Sequence, residues 1–221
     1  MKPSSWRNIS AAIIMVLPLI YLAAVYYSFP AIIPVHFNLY GRADKFGDRS
    51  ELIFVCVLLS IVGAGSYLLL TKLPLIDPKK KVSMSMDALY KIAFCVLCFV
   101  AILNMAIIYA TSHQGLDFNI GRLIFPLCGL FFAFLGNQMH NIKPNYFAGI
   151  RTPWTLENED NWRATHRLGG KLFFFGGLAI ALLTLIVPAR VALFVFLPLT
   201  TLIAIIPCVY SYLYFKKHRA S

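Results

Sequence analysis

The sequence predicts an all-α fold, a polytopic integral membrane bundle of six transmembrane helices with both termini in the cytoplasm. Hydrophobic residues make up 59% of the 221 residues, and the mean hydropathy is +0.73. Charged residues account for only 13%, against about 25% in a typical soluble protein. Apolar runs close to the ~20 residues needed to cross a bilayer recur along the chain. Strands are not expected in these runs, because a membrane strand alternates apolar and polar residues.

Each apolar run predicts one helix. The predicted spans cover residues 9–29, 52–71, 92–110, 120–136, 172–187 and 191–215. Only three residues separate the last two spans, which predicts a tight helical hairpin. The first run is longer than the core of a typical signal peptide and no clear cleavage site follows it. We therefore treat it as the first span.

The positive charge predicts the orientation of the chain. Its formal net charge is +11. If the N-terminus lies in the cytoplasm and the spans alternate, most Lys and Arg residues fall on the cytoplasmic side, as the positive-inside rule requires. The basic excess is then explained by contact with membrane lipids that carry anionic headgroups. Direct binding of nucleic acid is not expected.

The interiors of the predicted spans contain no Asp, Glu, Lys, Arg or His, and Arg122 stands at the edge of the fourth. Asn104 is the strongest polar residue within them. Ion-coupled transporters usually carry ionisable groups inside the membrane, and channels usually have a polar pore face. The pattern therefore argues against both. A transporter or exporter of a small peptide or lipid-like compound, without ion coupling, stays open as the alternative function.

Cysteine and histidine placement predicts neither a metal site nor a cofactor. All five cysteines fall inside predicted spans, where a thiol behaves as a small apolar residue and a disulfide framework is not implied. His36 and Asp44 could meet in one outer loop. Two ligands are too few for a metal site.

The outer loop, residues 30–51, has two possible interpretations. His36, Asn38 and Asp44 place polar groups in a segment that is otherwise apolar and close to the membrane. One interpretation is an outward-facing recognition loop. The other is a re-entrant turn whose polar groups satisfy its own backbone. The residues alone favour neither.

The cytoplasmic loop, residues 137–171, has a clearer pattern. Thr152 followed by Pro153 predicts the start of a helix. Further along, four residues at spacings of three, four and seven share one helical face. They are Trp162, Thr165, His166 and Gly169. We expect a short interfacial helix that turns this aromatic stripe towards the bilayer, and a basic stripe with Arg163 and Arg167 towards water or a partner.

Ahead of that helix we expect a compact turn formed by Asn145, Gly149 and Arg151. The Arg151 guanidinium could clamp a carboxylate or phosphate in a bidentate manner, or it could pair with Glu157, Glu159 or a lipid phosphate. The nearest approach to a catalytic set is Thr152 or Thr155 with His166, without an orienting group. We therefore do not expect an enzyme. If the protein were nevertheless an enzyme, it would act on lipid headgroups, with Arg151 binding the phosphate and His166 acting as the base.

The two loops resemble the signature segments of the SdpI family, bacterial membrane immunity proteins against a sporulation-delaying peptide toxin. In the cytoplasmic loop the resemblance is carried by Gly136, Asn137, Pro144, Asn145, the run from Gly149 to Leu156, Trp162, Thr165, His166 and Arg167. In the outer loop it is carried by Ile33, Pro34, His36, Phe37, Asn38, Gly41 and Asp44, which resemble an uncharacterised domain that often precedes the family's own. We assign residues 1–71 to this N-terminal region and 72–221 to the SdpI-like region.

The resemblance implies a membrane immunity protein that confers resistance to a secreted peptide toxin without catalysis. It also implies a signalling receptor that holds a small winged-helix autorepressor at the bacterial cell membrane when toxin is present. Toxin recognition would fall to His36, Asn38 and Asp44. Partner binding would fall to the cytoplasmic signature, namely Asn145, Gly149, Arg151, Thr152, Pro153, Trp154, Trp162, His166 and Arg167.

Overall fold

The structure is a computed structural model that describes residues 5–38, 42–76, 86–113, 119–145 and 148–219. Gly41 of the outer-loop signature lies outside the described residues. So do four of the lysines used to assign orientation, Lys2, Lys79, Lys80 and Lys81.

Seven α-helices and one β-hairpin make up the described chain. The elements in order are α1 (Ser5–Val25), β1 (Ile32–Phe37), β2 (Ala43–Asp48), α2 (Ser50–Ile76), α3 (Met86–Ser112), α4 (Gly121–Gln138), α5 (Pro153–Glu157), α6 (Glu159–Ile186) and α7 (Ala189–Arg219). Short 3-10 turns follow α1 and α4. All helices except α5 are long and apolar enough to cross a membrane. The prediction of six spans is confirmed, and the chain is a multi-pass membrane protein.

The chain divides into two compact units. The first contains residues 1–70 and 93–124, and the second contains residues 71–92 and 125–221. The core of the first unit is a buried apolar cluster around Ile33 and Leu52. Because Ile33 lies on β1 and Leu52 on α2, this cluster anchors the hairpin to the helices of its own unit.

The hairpin occupies the outer loop, where the sequence predicted no strand. Strands β1 and β2 pair antiparallel from Ile32 opposite Asp48 to Phe37 opposite Ala43, with register shifts on either side of His36. His36 Nδ1 and Asp44 Oδ1 are 2.5 Å apart, and both side chains are exposed. The two residues therefore do meet, as expected. Asn38 Oδ1 accepts a hydrogen bond from the Arg42 backbone N–H.

Helix α2 begins directly after the hairpin because a local cap supplies partners for its first turn. Asp48 Oδ1 accepts a hydrogen bond from the Ser50 N–H at 2.8 Å. Glu51 Oε1 accepts one from the Asp48 N–H at 3.2 Å. The side-chain and backbone hydrogen bonds from Ser50 hold the pKa of Asp48 below its usual range. This exchange of hydrogen bonds satisfies donors that a helix start leaves unpaired.

Within the first unit, Asn104 links α3 to α2. Its side chain is buried, and Nδ2 donates to the Cys56 carbonyl at 3.0 Å and to Ser60 Oγ at 3.3 Å. In lipid, where water cannot compete, such interhelical hydrogen bonds contribute on the order of 1 kcal/mol. The strongest polar residue of the predicted spans is therefore a packing contact between helices.

Within the second unit, α4 and α6 approach each other so closely that their backbones touch. A Cβ atom on Gly129 would lie 2.6 Å from the Gly177 carbonyl oxygen, and one on Gly177 would lie 2.5 Å from the Ala133 nitrogen. A Cβ on Gly136 would likewise collide with Phe174 and Gly170. Small residues four apart allow such close crossings in membranes. The sequence signal was Gly129 with Ala133 and Gly177 with Ala181, which our sequence analysis missed.

The predicted interfacial helix is wrong in two respects. Helix α5 ends at Glu157, and α6 then runs without interruption from Glu159 into the fifth span, so the predicted stripe lies on α6 and not on a short separate helix. The predicted aromatic stripe is buried inside the protein: Trp162 is only 1% exposed and does not face the bilayer. The shared face itself is confirmed, since Trp162, Thr165, His166 and Gly169 are all buried.

Candidate functional site

The turn ahead of α5 is organised by Asn145. Its buried side chain uses both ends: Nδ2 donates to the carbonyls of Lys143 at 2.8 Å and Ala148 at 3.1 Å, and Oδ1 accepts from the Ala148 N–H at 2.7 Å. An amide side chain that bonds its own neighbouring backbone in this way fixes a turn. In the turn predicted from Asn145, Gly149 and Arg151, Asn145 therefore ties Lys143 to Ala148 and has a structural role.

At Gly149 the backbone passes directly against the side chain of His166. Its φ angle is 111°, a conformation that L side chains rarely adopt. A Cβ atom at this position would also collide with His166 Nε2. Glycine is therefore required both for the backbone conformation and for the close approach.

His166 connects the loop to α6 through both ring nitrogens. Nδ1 lies 2.9 Å from the Trp162 carbonyl, and Nε2 lies 3.0 Å from the Ile150 backbone nitrogen. A backbone N–H can only donate and a carbonyl can only accept, so Nε2 is the acceptor and Nδ1 carries the hydrogen. The geometry thus selects the neutral imidazole. With both nitrogens engaged, His166 is not placed to act as the base of a catalytic set.

Trp162 forms the floor beneath the loop. Its indole is stacked on His166, with ring centroids 4.1 Å apart and an angle of 18° between the planes. Nε1 donates to the Ile142 carbonyl at 2.8 Å. The buried indole thus satisfies its only polar atom, as a buried Trp requires, and it holds the loop segment at Ile142 against α6.

Helix α5 starts with a reciprocal cap made by two threonines. Thr152 Oγ1 accepts from the Thr155 N–H at 3.2 Å, and Thr155 Oγ1 accepts from the Thr152 N–H at 3.0 Å. Pro153 occupies the first helical turn, as the sequence predicted. The Thr155 hydroxyl donates to the Ile150 carbonyl at 2.9 Å. Neither threonine hydroxyl is directed at His166, so the structure does not form the nucleophile–base pair considered from the sequence.

Ser211 on α7 is the anchor of this network, and the sequence analysis missed it. The Ser211 hydroxyl is fully buried and donates to the Cys208 carbonyl, so its oxygen accepts from the Thr152 hydroxyl at 2.9 Å. The Ser211 carbonyl accepts from Asn161 Nδ2 at 2.9 Å. One residue of α7 therefore holds both the start of α5 and the start of α6.

Asn161 and Thr165 complete the buried polar set. Asn161 is 0% exposed, and its Oδ1 accepts from the Thr165 hydroxyl at 3.0 Å. These residues lie one turn apart on the face of α6 that meets α7. A buried polar network whose members are all paired gives a rigid, uniquely specified arrangement. The described residues of the loop, 137–145 and 148–171, thus form a fixed structure on the α6–α7 hairpin, which we call the platform.

Other predicted site residues lie at the surface of this platform. Trp154 packs on Tyr212 and Phe215 of α7, with ring centroids 5.0 Å and 6.2 Å away. Arg151 is exposed. Arg163 forms an exposed ion pair with Glu159 at 3.2 Å. Within the described ranges, Arg167 has neither a hydrogen bond nor an ion pair.

Two cavities open beside the platform. The larger has a volume of about 980 Å³ and is lined by the loop and the first turns of α6. The smaller has a volume of about 270 Å³ and lies where α4 meets α6. His140, His166 and Arg167 line both. Arg151 lines neither of these two cavities, so the expected anion clamp is not part of them.

When the chain is compared with known proteins, the segment that forms this platform matches a protein family. Residues 141–211 match the model of the SdpI/YfhL protein family. The matched segment begins in the turn before Asn145 and ends at Ser211, so it contains the network from end to end. The resemblance to the SdpI family is confirmed. Residues 13–61, which include the hairpin, match a domain of unknown function, DUF1648.

A curated relative carries the same resemblance. The chain is 33% identical over 107 residues to the immunity protein SdpI of Bacillus subtilis (strain 168). The aligned part covers 48% of this chain and 51% of the relative, so the chain spans about half the length of the curated SdpI protein it matches. No solved structure matches it significantly.

Proposed function

We propose that this chain is an integral membrane immunity protein that confers resistance to a secreted peptide toxin. The observation that carries the proposal is the match of residues 141–211 to the SdpI/YfhL family. It is supported by 33% identity over 107 residues to a protein named for immunity. The protein works by binding, and turnover of a substrate is not part of the proposal.

The hairpin is the proposed toxin-recognition element. His36, Asn38 and Asp44 lie on or beside its strands, and the side chains of His36 and Asp44 are exposed. The hairpin is anchored from below by Ile33, which is 1% exposed. A rigid support with polar groups at its surface is suited to recognition, because little conformational entropy is lost on binding.

The platform is the proposed signalling element, placed in the cytoplasm as the charge distribution indicates. It would hold a winged-helix autorepressor at the membrane when toxin is bound. Its interior is occupied by buried, mutually paired groups, so contacts with a partner fall to exposed side chains. Arg151 and Arg167 supply cationic groups there, and Arg151 is the proposed contact with an acidic partner.

A killing assay tests the immunity proposal. A toxin-sensitive bacterial strain expresses the wild type, His36→Ala, Arg151→Ala or Arg190→Ala at matched membrane levels and is challenged with the family's peptide toxin. Arg190 is the matched control. It is an exposed arginine in the first turn of α7, next to the end of α6 that lies away from the platform. We expect protection by the wild type and the control, and loss of protection in the other two.

Absence of protection by the wild type at confirmed membrane levels would overturn the immunity proposal. Active efflux of the toxin by the wild type would instead support the transporter alternative. If Arg151→Ala is missing from the membrane, Arg151 is structural and has no separate role in protection.

A localisation experiment tests the signalling part on its own. The family's winged-helix repressor, fused to a fluorescent protein, is followed before and after toxin addition. We expect it to move to the membrane with the wild type and the Arg190→Ala control and to stay in the cytoplasm with Arg151→Ala. A repressor that never reaches the membrane, in cells that the wild type protects, would remove the receptor role and leave immunity standing.

A further inference from the structure

The smaller cavity differs in character from the larger one. It lies where α4 and α6 cross, and its walls include Gly136, Gly170, Phe174 and Phe175. The two helices are in backbone contact at these glycines, and the cleft lies beside that contact. At about 270 Å³ it lies just below the ~300–1,000 Å³ typical of small-molecule sites.

The polar end of this cleft is cationic. Arg167 and Lys171 lie four residues apart on α6 and line it together with His140. Among the described residues that line the cleft, none is acidic. In the larger cavity, by contrast, Glu157 and Glu159 accompany the basic groups. The charge of the small cleft is therefore complementary to an anion.

The other end of the cleft is apolar and lies on a membrane-spanning helix, α6. Phe174 and Phe175 follow Lys171 by one helical turn, and Phe175 is 66% exposed. The continuous apolar run of α6 begins at Leu172. Arg167 and Lys171 are thus at the level where headgroups lie, and the phenylalanines are at the level of the first acyl carbons.

We infer that this cleft is a specific binding site for an anionic phospholipid. Arg167 and Lys171 hold the phosphate, and one acyl chain lies along Phe174 and Phe175, beside the backbone contact of Gly136 with Gly170. Phosphate recognition by Arg is bidentate, and Lys adds a point charge. The apolar half of the cleft favours a lipid over free phosphate. The inference does not depend on the immunity proposal.

Native mass spectrometry of the full chain in detergent tests this site. Phosphatidylglycerol and phosphatidylcholine are titrated separately. We expect one phosphatidylglycerol to bind at least about tenfold more tightly than phosphatidylcholine. Both lipids carry the phosphate, but phosphatidylcholine also carries a choline cation, which cancels its net charge and is repelled by Arg167 and Lys171. Arg167→Gln and Lys171→Gln should each lower the affinity for phosphatidylglycerol by about tenfold. Arg190→Gln, an exposed arginine away from the cleft, should bind as the wild type does.

Two further measurements distinguish lipid from free phosphate. Phe175→Ala should lower the affinity for phosphatidylglycerol. Inorganic phosphate at about millimolar concentration should not displace this lipid from the wild type. Equal binding of the two lipids would overturn the inference. So would unchanged binding in both charge variants, confirmed as folded by their melting temperatures. Displacement by phosphate, with no effect of Phe175→Ala, would reduce the cleft to a simple anion site.

Discussion

Gly149 and His166 are fitted to each other across the loop. The space that a side chain at Gly149 would need is taken by His166 Nε2, and the neighbouring Ile150 N–H donates to that nitrogen at 3.0 Å. The positive φ of Gly149 turns the chain so that this donor points at the imidazole. The GIRTPWTL segment and α6 therefore depend on one another for their conformation.

Replacing Gly149 by Ala should destabilise the protein strongly. The backbone strain alone costs about 1–3 kcal/mol, and the collision with His166 adds to it. Gly65→Ala is the matched control, since a Cβ atom at Gly65 meets nothing within 4 Å. Thermal unfolding in detergent should show a clear drop in melting temperature for Gly149→Ala and none for Gly65→Ala. Equal melting temperatures of Gly149→Ala and Gly65→Ala would mean that Gly149 and His166 are not coupled as described.

His166→Phe should lose stability even though it keeps an aromatic ring on Trp162. The Ile150 N–H would lose its partner, at about 1–3 kcal/mol for a buried unpaired group. The Trp162 carbonyl would keep the backbone hydrogen bond of its own helix. His218→Phe is a close control, because His218 also stacks on the residue four before it and bonds that residue's carbonyl, but at an exposed position. We expect the control to unfold like the wild type. A similar loss in both variants would contradict the role assigned to His166.

The protonation state of His166 is open to direct measurement. Nitrogen chemical shifts from the labelled ring should report a neutral imidazole with the hydrogen on Nδ1 near neutral pH. Acidification would add a proton to Nε2, opposite the Ile150 N–H, so the stability that this contact supplies is present at neutral pH and lost as the pH falls. A ring that is already charged at neutral pH would rule out the geometry.

Thr152 and Ser211 should be coupled energetically. A double-mutant cycle with Thr152→Val and Ser211→Ala should give a coupling free energy of about 0.5–1.5 kcal/mol, the range of a single hydrogen bond. Thr152→Val combined with Ser28→Ala should be additive, because Ser28 belongs to the other unit and its exposed hydroxyl bonds the Val25 carbonyl of its own turn. Additive behaviour of the first pair would remove the anchor function of Ser211.

The His36–Asp44 pair should matter little to stability, because both side chains are exposed and such pairs contribute about 0–1 kcal/mol. The free energy of unfolding of His36→Ala should therefore lie within about 1 kcal/mol of the wild-type value. The variant should nevertheless fail to protect cells from toxin. A large loss of stability in His36→Ala would mean that any loss of protection reflects folding and not recognition.

Local rules reached a good part of the platform from the sequence. Thr152 and Pro153 marked the start of α5, because a helix start is decided by the residues that cap its first turn. The helical period placed Trp162, Thr165, His166 and Gly169 on one face. The same period cannot distinguish protein from lipid as the neighbour of an apolar face. The stripe was therefore assigned to the bilayer and lies inside the protein.

The sequence by itself determined the membrane-spanning architecture, since an apolar run of bilayer length has no other stable environment. It also determined the local caps and faces of the helices. Only the tertiary structure decided that Ser211 would meet Thr152, 59 residues away, and Asn161, 50 residues away. It alone decided the direct backbone contact of α4 with α6 and the pairing of β1 with β2. Such contacts depend on the path of the whole chain, whereas capping and periodicity act over about four residues.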